Sequence, residues 1–324
     1  MEVPQEIVDS IIELCKDSTD DLKNCSLVST SWTPASRRHL FHTVTLGGVR
    51  RAVRFRNQDA QLSGTQSFLQ QFQQLDEFLE NSPYVAEQCI RCVNLRFAWH
   101  VAAPTTYNKE TNFMLGKVLA RLAQVQEFRL SLGKWAFYPR EAKHIIHAAI
   151  RQPSVAKLSL RASEFDSFPD LASLLIHSPG LKHLAVADLV VHESSTELKD
   201  TSHLPIAHLE YLRLDTQIRY LVPAFLDSAF PIKVDRLRQL RVTLVPRRDA
   251  CELINQLIEM TGTFLLHLEL SDTLTYQGEL IRFTSRPEIS SNVFSHPSDP
   301  GLFENHSHSQ SPLDSFQGLQ SDLI

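Results

Sequence analysis

The central part of the chain repeats a short pattern in which apolar and polar residues alternate. Because successive side chains of a strand point to opposite faces, such alternation predicts a half-buried β-strand. We find this pattern in seven segments between residues 85 and 284. Their second apolar residues are Leu95, Leu130, Leu160, Val186, Leu214, Val242 and Leu270, at spacings of 35, 30, 26, 28, 28 and 28 residues. The nearly constant spacing predicts a repeat architecture.

Helical segments fill the intervals between the predicted strands. In each of them apolar residues recur near i, i+3 and i+4, as in the group Ile145, Ile146, Ala149 and Ile150. The predicted helices cover residues 68–79, 113–125, 140–151, 169–177, 220–228 and 250–260. One strand and one helix therefore recur about every 28 residues.

This succession of a short strand and a helix resembles a degenerate leucine-rich repeat. The likeness lies in the period and in the x-Leu-x-Leu strand, because most units lack the regular Asn or Cys position. The resemblance implies an α/β solenoid of about seven strand–helix units, with its strands side by side along a concave wall. A doubly wound α/β sheet is the alternative for such alternation. It is disfavoured because the chain has no glycine-rich phosphate loop and its period is nearly constant.

The first 46 residues show a different pattern, that of three short helices. Pro4 suits the first turn of a helix. One apolar face of this helix is formed by Ile7, Ile11, Leu14 and Cys15. Residues 18–21 supply N-cap side chains for a second helix at 22–28, and Pro34 is expected near the start of a third. Such a small unit has a surplus of apolar residues, which the rest of the chain or a partner must cover.

The same residues resemble the F-box. The matching pattern is Pro4-x-Glu6-Ile7-x-x-x-Ile11-Ile12, then Leu22-x-x-Cys25-Ser26-Leu27-Val28-Ser29-x-Ser31-Trp32, followed by the Arg-x-x-Leu-Phe-x-x-Val-x-Leu run common in fungal F-box proteins. The resemblance covers residues 2–46 and implies docking onto a Skp-type adaptor and, through it, a cullin–RING ubiquitin ligase. The residues that it places against the adaptor are Pro4, Ile7, Ile11, Leu22, Leu27, Val28 and Trp32. The alternative is that these helices form a structural cap on the repeat domain.

The outward-facing strand positions carry an excess of arginine. When the apolar residues of each strand face the core, the residues beside them face out, and five of these fourteen positions are arginine against two acids. The five are Arg96, Arg129, Arg161, Arg213 and Arg241. Because a guanidinium group binds carboxylate and phosphate in a bidentate manner, this pattern predicts a site for an acidic or phosphorylated peptide of a protein substrate. The alternative is that they are ordinary solvated residues, some of them paired with Asp215 or Glu269.

Composition and charge exclude several classes of protein. The chain has 324 residues, of which 43% are apolar and 21% charged, and its net charge is −5. No segment is strongly basic, so nucleic acid is not an expected partner. No apolar run has the length of a membrane span, and the acidic N-terminus does not resemble a secretory signal. Five cysteines, an odd number, indicate reduced thiols, so we expect a protein of the cytoplasm or nucleus.

Four segments are expected along the chain. They are an F-box-like unit at 1–46, a helical linker at 47–84, a substrate-binding repeat domain at 85–284 and a tail at 285–324. In the tail, ten serines and four prolines replace the apolar periodicity. Such a composition buries too little apolar surface to offset the entropy of ordering, so we expect disorder there.

The sequence contains no candidate active site. Cys89 and Cys92 form a single C-x-x-C pair, and His144 and His147 lie i, i+3 on a predicted helix. Neither pair has the further ligands that a zinc or metalloprotease site requires, so we expect no catalysis, cofactor or metal. The function that agrees with all these patterns is substrate recognition within a Skp–cullin–F-box type ubiquitin ligase. The alternatives are a repeat scaffold without a ligase and an α/β enzyme of unrecognised type.

Overall fold

Helices and strands alternate along the part of the chain that the structure, a computed structural model, describes. The described residues are 3–47, 59–97, 109–193, 205–215, 218–244, 248–272 and 281–283. The helices are α1 (Gln5–Leu14), α2 (Thr19–Val28), α3 (Thr33–Leu40), α4 (Asp59–Asn81), α5 (Lys109–Arg121), α6 (Arg140–Ile150), α7 (Phe168–Leu175), α8 (Ile218–Leu226) and α9 (Arg248–Thr261). The strands are β1 (Thr43–Gly47), β2 (Cys92–Arg96), β3 (Glu127–Ser131), β4 (Gly133–Lys134), β5 (Lys157–Ser167), β6 (His183–Glu193), β7 (Ala207–His208), β8 (Tyr211–Leu214), β9 (Ile232–Lys233), β10 (Gln239–Leu244), β11 (His267–Asp272) and β12 (Ile281–Phe283).

Most of the described strands form one sheet, in the order β1-β2-β3-β5-β6-β8-β10-β11-β12. Neighbouring strands are parallel, except that β12 is antiparallel to β11. The seven predicted strands are confirmed. Their central residues share one register across the sheet, in the order Leu95, Leu130, Leu160, Val186, Leu214, Val242 and Leu270. β1 is an additional strand at the edge, where Leu46 pairs with Leu95.

The residue before each strand joins two repeats through its carbonyl group. The carbonyl oxygen of Arg91 accepts hydrogen bonds from the backbone N–H groups of Gln126 (2.8 Å) and Glu127 (3.0 Å). The same pair of hydrogen bonds recurs at the carbonyl oxygens of Gln126, Ala156, Lys182, Glu210 and Arg238. Each repeat must present this carbonyl at the same height along the sheet. The hydrogen bonds therefore hold the strands in one register.

One face of the sheet is buried and the other is open. Strand residues such as Phe128, Leu160 and Val186 are buried in a single core, together with apolar residues of α4 to α9. The residues between them, such as Arg129 and Arg161, are exposed. A doubly wound sheet carries helices on both faces, whereas in the described residues the helices α4 to α9 contribute to the core on one face.

The three predicted N-terminal helices are confirmed as α1, α2 and α3. A small core of their own, separate from that of the sheet, consists of Val8, Ile12, Leu22 and Ala35. The Ser18 hydroxyl accepts a hydrogen bond from the backbone N–H of Asp21 at 3.3 Å and caps α2 as expected. The carbonyl oxygen of His42, just before β1, accepts backbone hydrogen bonds from Arg91 (3.0 Å) and Cys92 (2.9 Å). These bonds join the helical unit to the edge of the sheet.

Two strands, β5 and β6, are longer than the predicted pattern, with eleven residues each. Each contains one residue with a left-handed backbone, Ala162 (φ 45°) in β5 and Asp188 (φ 50°) in β6. The two lie opposite each other, because the residues before them pair with each other and so do the residues after them. Aspartate tolerates this conformation, whereas the Cβ of an alanine crowds the following carbonyl group.

The remaining predictions about the layout are met in part. The six helices expected between strands are present as α4 to α9, with ends that differ by a few residues except in α4, which begins at Asp59. The predicted linker at 47–84 thus contains α4, while residues 48–58 and the tail at 285–324 lie outside the described residues. In the described part of the chain, no helix combines the length and apolar character needed to cross a membrane.

Candidate functional site

The first candidate surface is a set of exposed apolar side chains on the N-terminal helices. We call it the N-terminal apolar surface; it consists of Val3, Ile7, Ile11, Leu14, Leu27 and Val28. Leu14 is 86% and Leu27 83% exposed, which is unusual for leucine in a folded unit. Exposed apolar residues that cluster on one part of a molecule are typical of surfaces that pack against another molecule.

Helix α1 has two apolar stripes, and only one of them faces the small core. Val8 and Ile12 are fully buried, whereas Ile7, Ile11 and Leu14 lie about a quarter turn away and remain in solvent. A helix of an isolated three-helix unit needs one apolar stripe to pack on its neighbours. The second stripe of α1 therefore has no role in the described packing of this unit.

Leu27 and Val28 are held at the corner between α2 and α3. The Thr33 hydroxyl is within hydrogen-bond distance of the carbonyl oxygens of Ser26 (2.9 Å) and Ser29 (3.1 Å), where the chain leaves α2. The hydroxyl has one proton to donate, and the Ser29 carbonyl oxygen also accepts a hydrogen bond from the backbone N–H of Trp32 at 3.2 Å. The corner consequently presents two large apolar side chains at a defined position, although both are exposed.

The structure divides the seven residues that the F-box resemblance selects. Pro4, Ile7, Ile11, Leu27 and Val28 are exposed. Leu22 is only 2% exposed, because it packs in the small core between α1 and α3, and Trp32 is half-buried against the same core. In this conformation Leu22 supports the unit and does not offer its side chain to a partner. Leu14 is a further exposed residue of this surface that the resemblance does not select. Its position on the same helix face as Ile7 and Ile11 is the feature of the sequence that could have identified it.

The second candidate surface is the open face of the sheet, where the five predicted arginines lie. Three of them are paired with carboxylates on the same face: Arg129 with Glu127 (Nε–Oε1 2.6 Å), Arg213 with Asp215 (Nη2–Oδ2 2.7 Å) and Arg241 with Glu269 (Nη2–Oε2 2.5 Å). The expected pairing with Asp215 and Glu269 is thus present for Arg213 and Arg241. Arg96 and Arg161 are exposed.

These ion pairs hold the arginine side chains along the sheet. The Nε of Arg213 donates to both oxygens of Asp215 at 3.0 Å, and the Thr243 hydroxyl, one repeat further, donates to Asp215 at 2.9 Å. The hydrogen bond to Asp215 raises the pKa of Arg213, and the one to Glu127 raises the pKa of Arg129. An arginine already paired in this way has fewer free donors for an acidic ligand, so the five arginines are not equivalent.

A shallow hollow of about 320 Å³ lies on the open face. Its lining includes Glu127, Lys157, Ser159, His183, Ala185 and Tyr211. The rings of His183 and Tyr211 stack with their centroids 5.8 Å apart and an angle of 29° between their planes. Nothing in the outward-facing arginine pattern identifies this hollow, because small and aromatic side chains define it.

The residues considered for metal or thiol chemistry do not form such a site. Cys89 and Cys92 are both buried, and burial raises the pKa of each thiol, which keeps them protonated and poor nucleophiles. Burial also lowers the pKa of His147, to about 4. Among the residues that the structure describes, no group of three or more His, Cys, Asp or Glu side chains is placed to hold a metal ion.

Comparison with known proteins does not assign a family. No family model matches the sequence, and no curated protein matches it either. The two surfaces, together with the motifs that lie on them, are therefore the basis for a functional proposal.

Proposed function

We propose that this chain is the substrate-recognition subunit of a Skp–cullin–F-box type ubiquitin ligase. The observation that carries the proposal is the N-terminal apolar surface, which is exposed on a unit that already has its own core. The F-box resemblance covers this same unit, and five of its seven adaptor-facing residues are exposed. An exposed apolar face on a small helical unit is what docking onto an adaptor requires.

In this proposal, the parts of the chain have separate tasks. The second stripe of α1 and the corner at Leu27 and Val28 contact the Skp-type adaptor, while Leu22 and Trp32 hold the three helices together. The parallel sheet, as a leucine-rich-repeat-like solenoid, holds a protein substrate on its open face. The chain itself performs no chemistry. It accelerates ubiquitin transfer by raising the effective concentration of the substrate near the catalytic subunits.

The decisive experiment is co-purification of the full chain with a Skp-type adaptor, beside the variants Leu27→Asp and Leu266→Asp. We expect wild type and Leu266→Asp to form a 1:1 complex. Leu27→Asp should weaken it about a hundredfold or more, because a carboxylate would be desolvated against an apolar partner surface. Leu266 is 64% exposed and lies far along the chain, just before β11, so it controls for the substitution itself.

Thermal unfolding of each variant establishes that the chain is folded in every arm. A wild-type protein that is folded and yet does not capture the adaptor would contradict the ligase proposal. It would favour the second candidate, a repeat scaffold whose helices are a structural cap. The hydrogen bonds at His42 and the contact of Phe41 with Phe78, 5.5 Å between ring centroids, favour that candidate, because they tie the helices to the sheet.

A further inference from the structure

The hollow on the open face exists because small side chains lie side by side at its centre. Ser159 on β5 pairs in register with Ala185 on β6, and Ala187 follows on the same face of β6. In the same row, Arg129 on β3 lies beside Ser159, and Arg213 on β8 lies beside Ala185. The long side chains of Arg129 and Arg213 thus flank the short side chains of Ser159 and Ala185, which form the floor of the hollow.

The charges around this floor do not balance. Arg129 and Arg213 are each paired with a carboxylate, Glu127 and Asp215. Lys157 and Arg161 are exposed on β5, at two positions before and two positions after Ser159. Within the described residues, no carboxylate lies within 4.0 Å of either. Lys157 lines the hollow, and Arg161 lies beyond it on the same strand, so β5 carries two cations without a carboxylate partner among the described residues, about 13 Å apart along the backbone.

The far wall of the hollow is aromatic and uncharged. His183 stacks on Tyr211, and Gln239 lies beyond them on β10. Burial lowers the pKa of His183, and the nearby charge of Lys157 lowers it further, so the ring is neutral at pH 7. A neutral aromatic wall suits the stems and backbone of a bound peptide, while the cations on β5 suit its acidic groups.

We infer that the hollow binds an extended acidic segment of a partner protein, with its backbone against His183 and Tyr211, one carboxylate at Lys157 in the hollow and another at Arg161, which lies beside the hollow on the same strand. This inference rests on the proposed use of the open face for substrate, and it names the chemical class of that substrate. The hollow runs from β3 to β10, four strand spacings or about 19 Å. That is the length of about six extended residues, and Arg161 lies to one side of this path, two positions after Ser159 on β5. Of the five predicted arginines, Arg161 is the one that contributes an unpaired charge at this place.

The test is selection of a random twelve-residue peptide library on the purified full chain. We expect peptides enriched in Asp and Glu, with affinity weakened at least tenfold in the variant Lys157→Glu/Arg161→Glu. The matched control is Lys109→Glu/Arg140→Glu, which makes the same charge change at exposed residues of α5 and α6, on helices that cover the buried face. Its binding should equal that of wild type. Binders without acidic enrichment, or equal loss in both variants, would overturn the inference.

Adaptor capture separates this inference from the proposed function. Lys157→Glu/Arg161→Glu should retain the adaptor, and Leu27→Asp should retain the acidic peptides. When the peptides fail while the adaptor still binds, the acidic-segment inference is wrong and the ligase proposal stands. When the adaptor does not bind while acidic peptides still bind, the ligase proposal is wrong and the acidic-segment inference stands.

Discussion

His147 on α6 is a histidine that the fold keeps neutral. Its ring centroid lies 5.9 Å from that of Trp135 and 5.6 Å from that of His177. Its Nδ1 is buried and has no hydrogen-bond partner among the described residues. Burial is the main cause that lowers its pKa from 6.5 to about 4, and the remaining causes are the charges of His177, Arg151, His144 and Lys143. Protonation would place an unpaired cation beside these groups.

Acidification should therefore destabilise the protein through His147. The unfolded chain takes up this proton near pH 6.5 and the folded chain only near pH 4. The stabilisation is therefore present above pH 6.5 and lost as pH falls towards 4. We expect a loss on the order of 2 kcal/mol in the free energy of unfolding from this residue. His147→Phe should remove it, and the exposed His144→Phe should not. Urea unfolding at pH 7 and pH 4.5 measures the difference; identical pH dependence in wild type and His147→Phe would refute it.

Ala162 gives a second prediction for a single residue, because it has a left-handed backbone inside β5. Replacing it with glycine removes the crowding of Cβ, so Ala162→Gly should raise the free energy of unfolding by about 0.5–1 kcal/mol. The same replacement at Ala185, a strand residue without positive φ, should lower it by a similar amount. Chemical denaturation of both variants measures the two signs. A destabilised Ala162→Gly protein would show that its backbone is not strained.

Helices α4 and α5 are joined by a buried ion-pair network. Asp76 on α4 is buried and accepts hydrogen bonds from Lys117 (2.6 Å) and Arg121 (2.9 Å) on α5. Burial opposes its ionisation, but the hydrogen bonds and charges of Lys117 and Arg121 outweigh burial and lower the pKa of Asp76. The carboxylate is therefore charged at neutral pH and fully engaged between the two helices.

Removing this carboxylate should weaken the contact between α4 and α5. We expect Asp76→Ala to lower the free energy of unfolding by about 2–3 kcal/mol, because Lys117 loses its carboxylate partner and Arg121 keeps only the exposed Glu80. Glu80 pairs with the same Arg121 at 3.1 Å but is exposed, so Glu80→Ala should cost about 0.5 kcal/mol or less. Thermal and urea unfolding of the two variants make the comparison. Equal costs at both positions would mean that burial of Asp76 does not matter.

The elements of the repeat domain were predictable because two signals agree there. Alternation of apolar residues marks the strands, and the constant period of the sequence is enough to align Leu214, Val242 and Leu270. β1 was harder to predict from the sequence, because its short Val-x-Leu run falls inside the stretch that resembles the F-box. The pairing of Arg129 with Glu127 lies within one strand and has no signal in the repeat period. In α1, Val8 and Ile12 are buried, whereas Ile7 and Ile11 are exposed. Tertiary packing decides which apolar side of the helix is buried, and periodicity alone does not predict it.

At the scale of the whole molecule, the two candidate surfaces belong to one compact unit, Met1–Arg286. Neighbouring repeats contact each other through strand pairing, so stability in such a sheet accumulates from one repeat to the next. The helical unit adds to this stack at the β1 edge, and the hollow lies further inside it at β5 and β6. The surfaces are consequently distinct in position and in chemistry: one is apolar and helical, the other is polar, cationic and formed by strands.

The carbonyl hydrogen bonds that begin at His42 recur from strand to strand and keep neighbouring strands at a constant separation. They fix each strand against the next, so the distance between the helical unit and the hollow is counted in whole strands. From β1 to β5 there are three steps, or about 14 Å. Gain or loss of one repeat between them would move a bound partner by about 4.8 Å and by no intermediate amount. The distance between the helical unit and a bound partner thus changes in steps of one strand spacing. Point substitutions on the open face change which partner binds, without changing this distance.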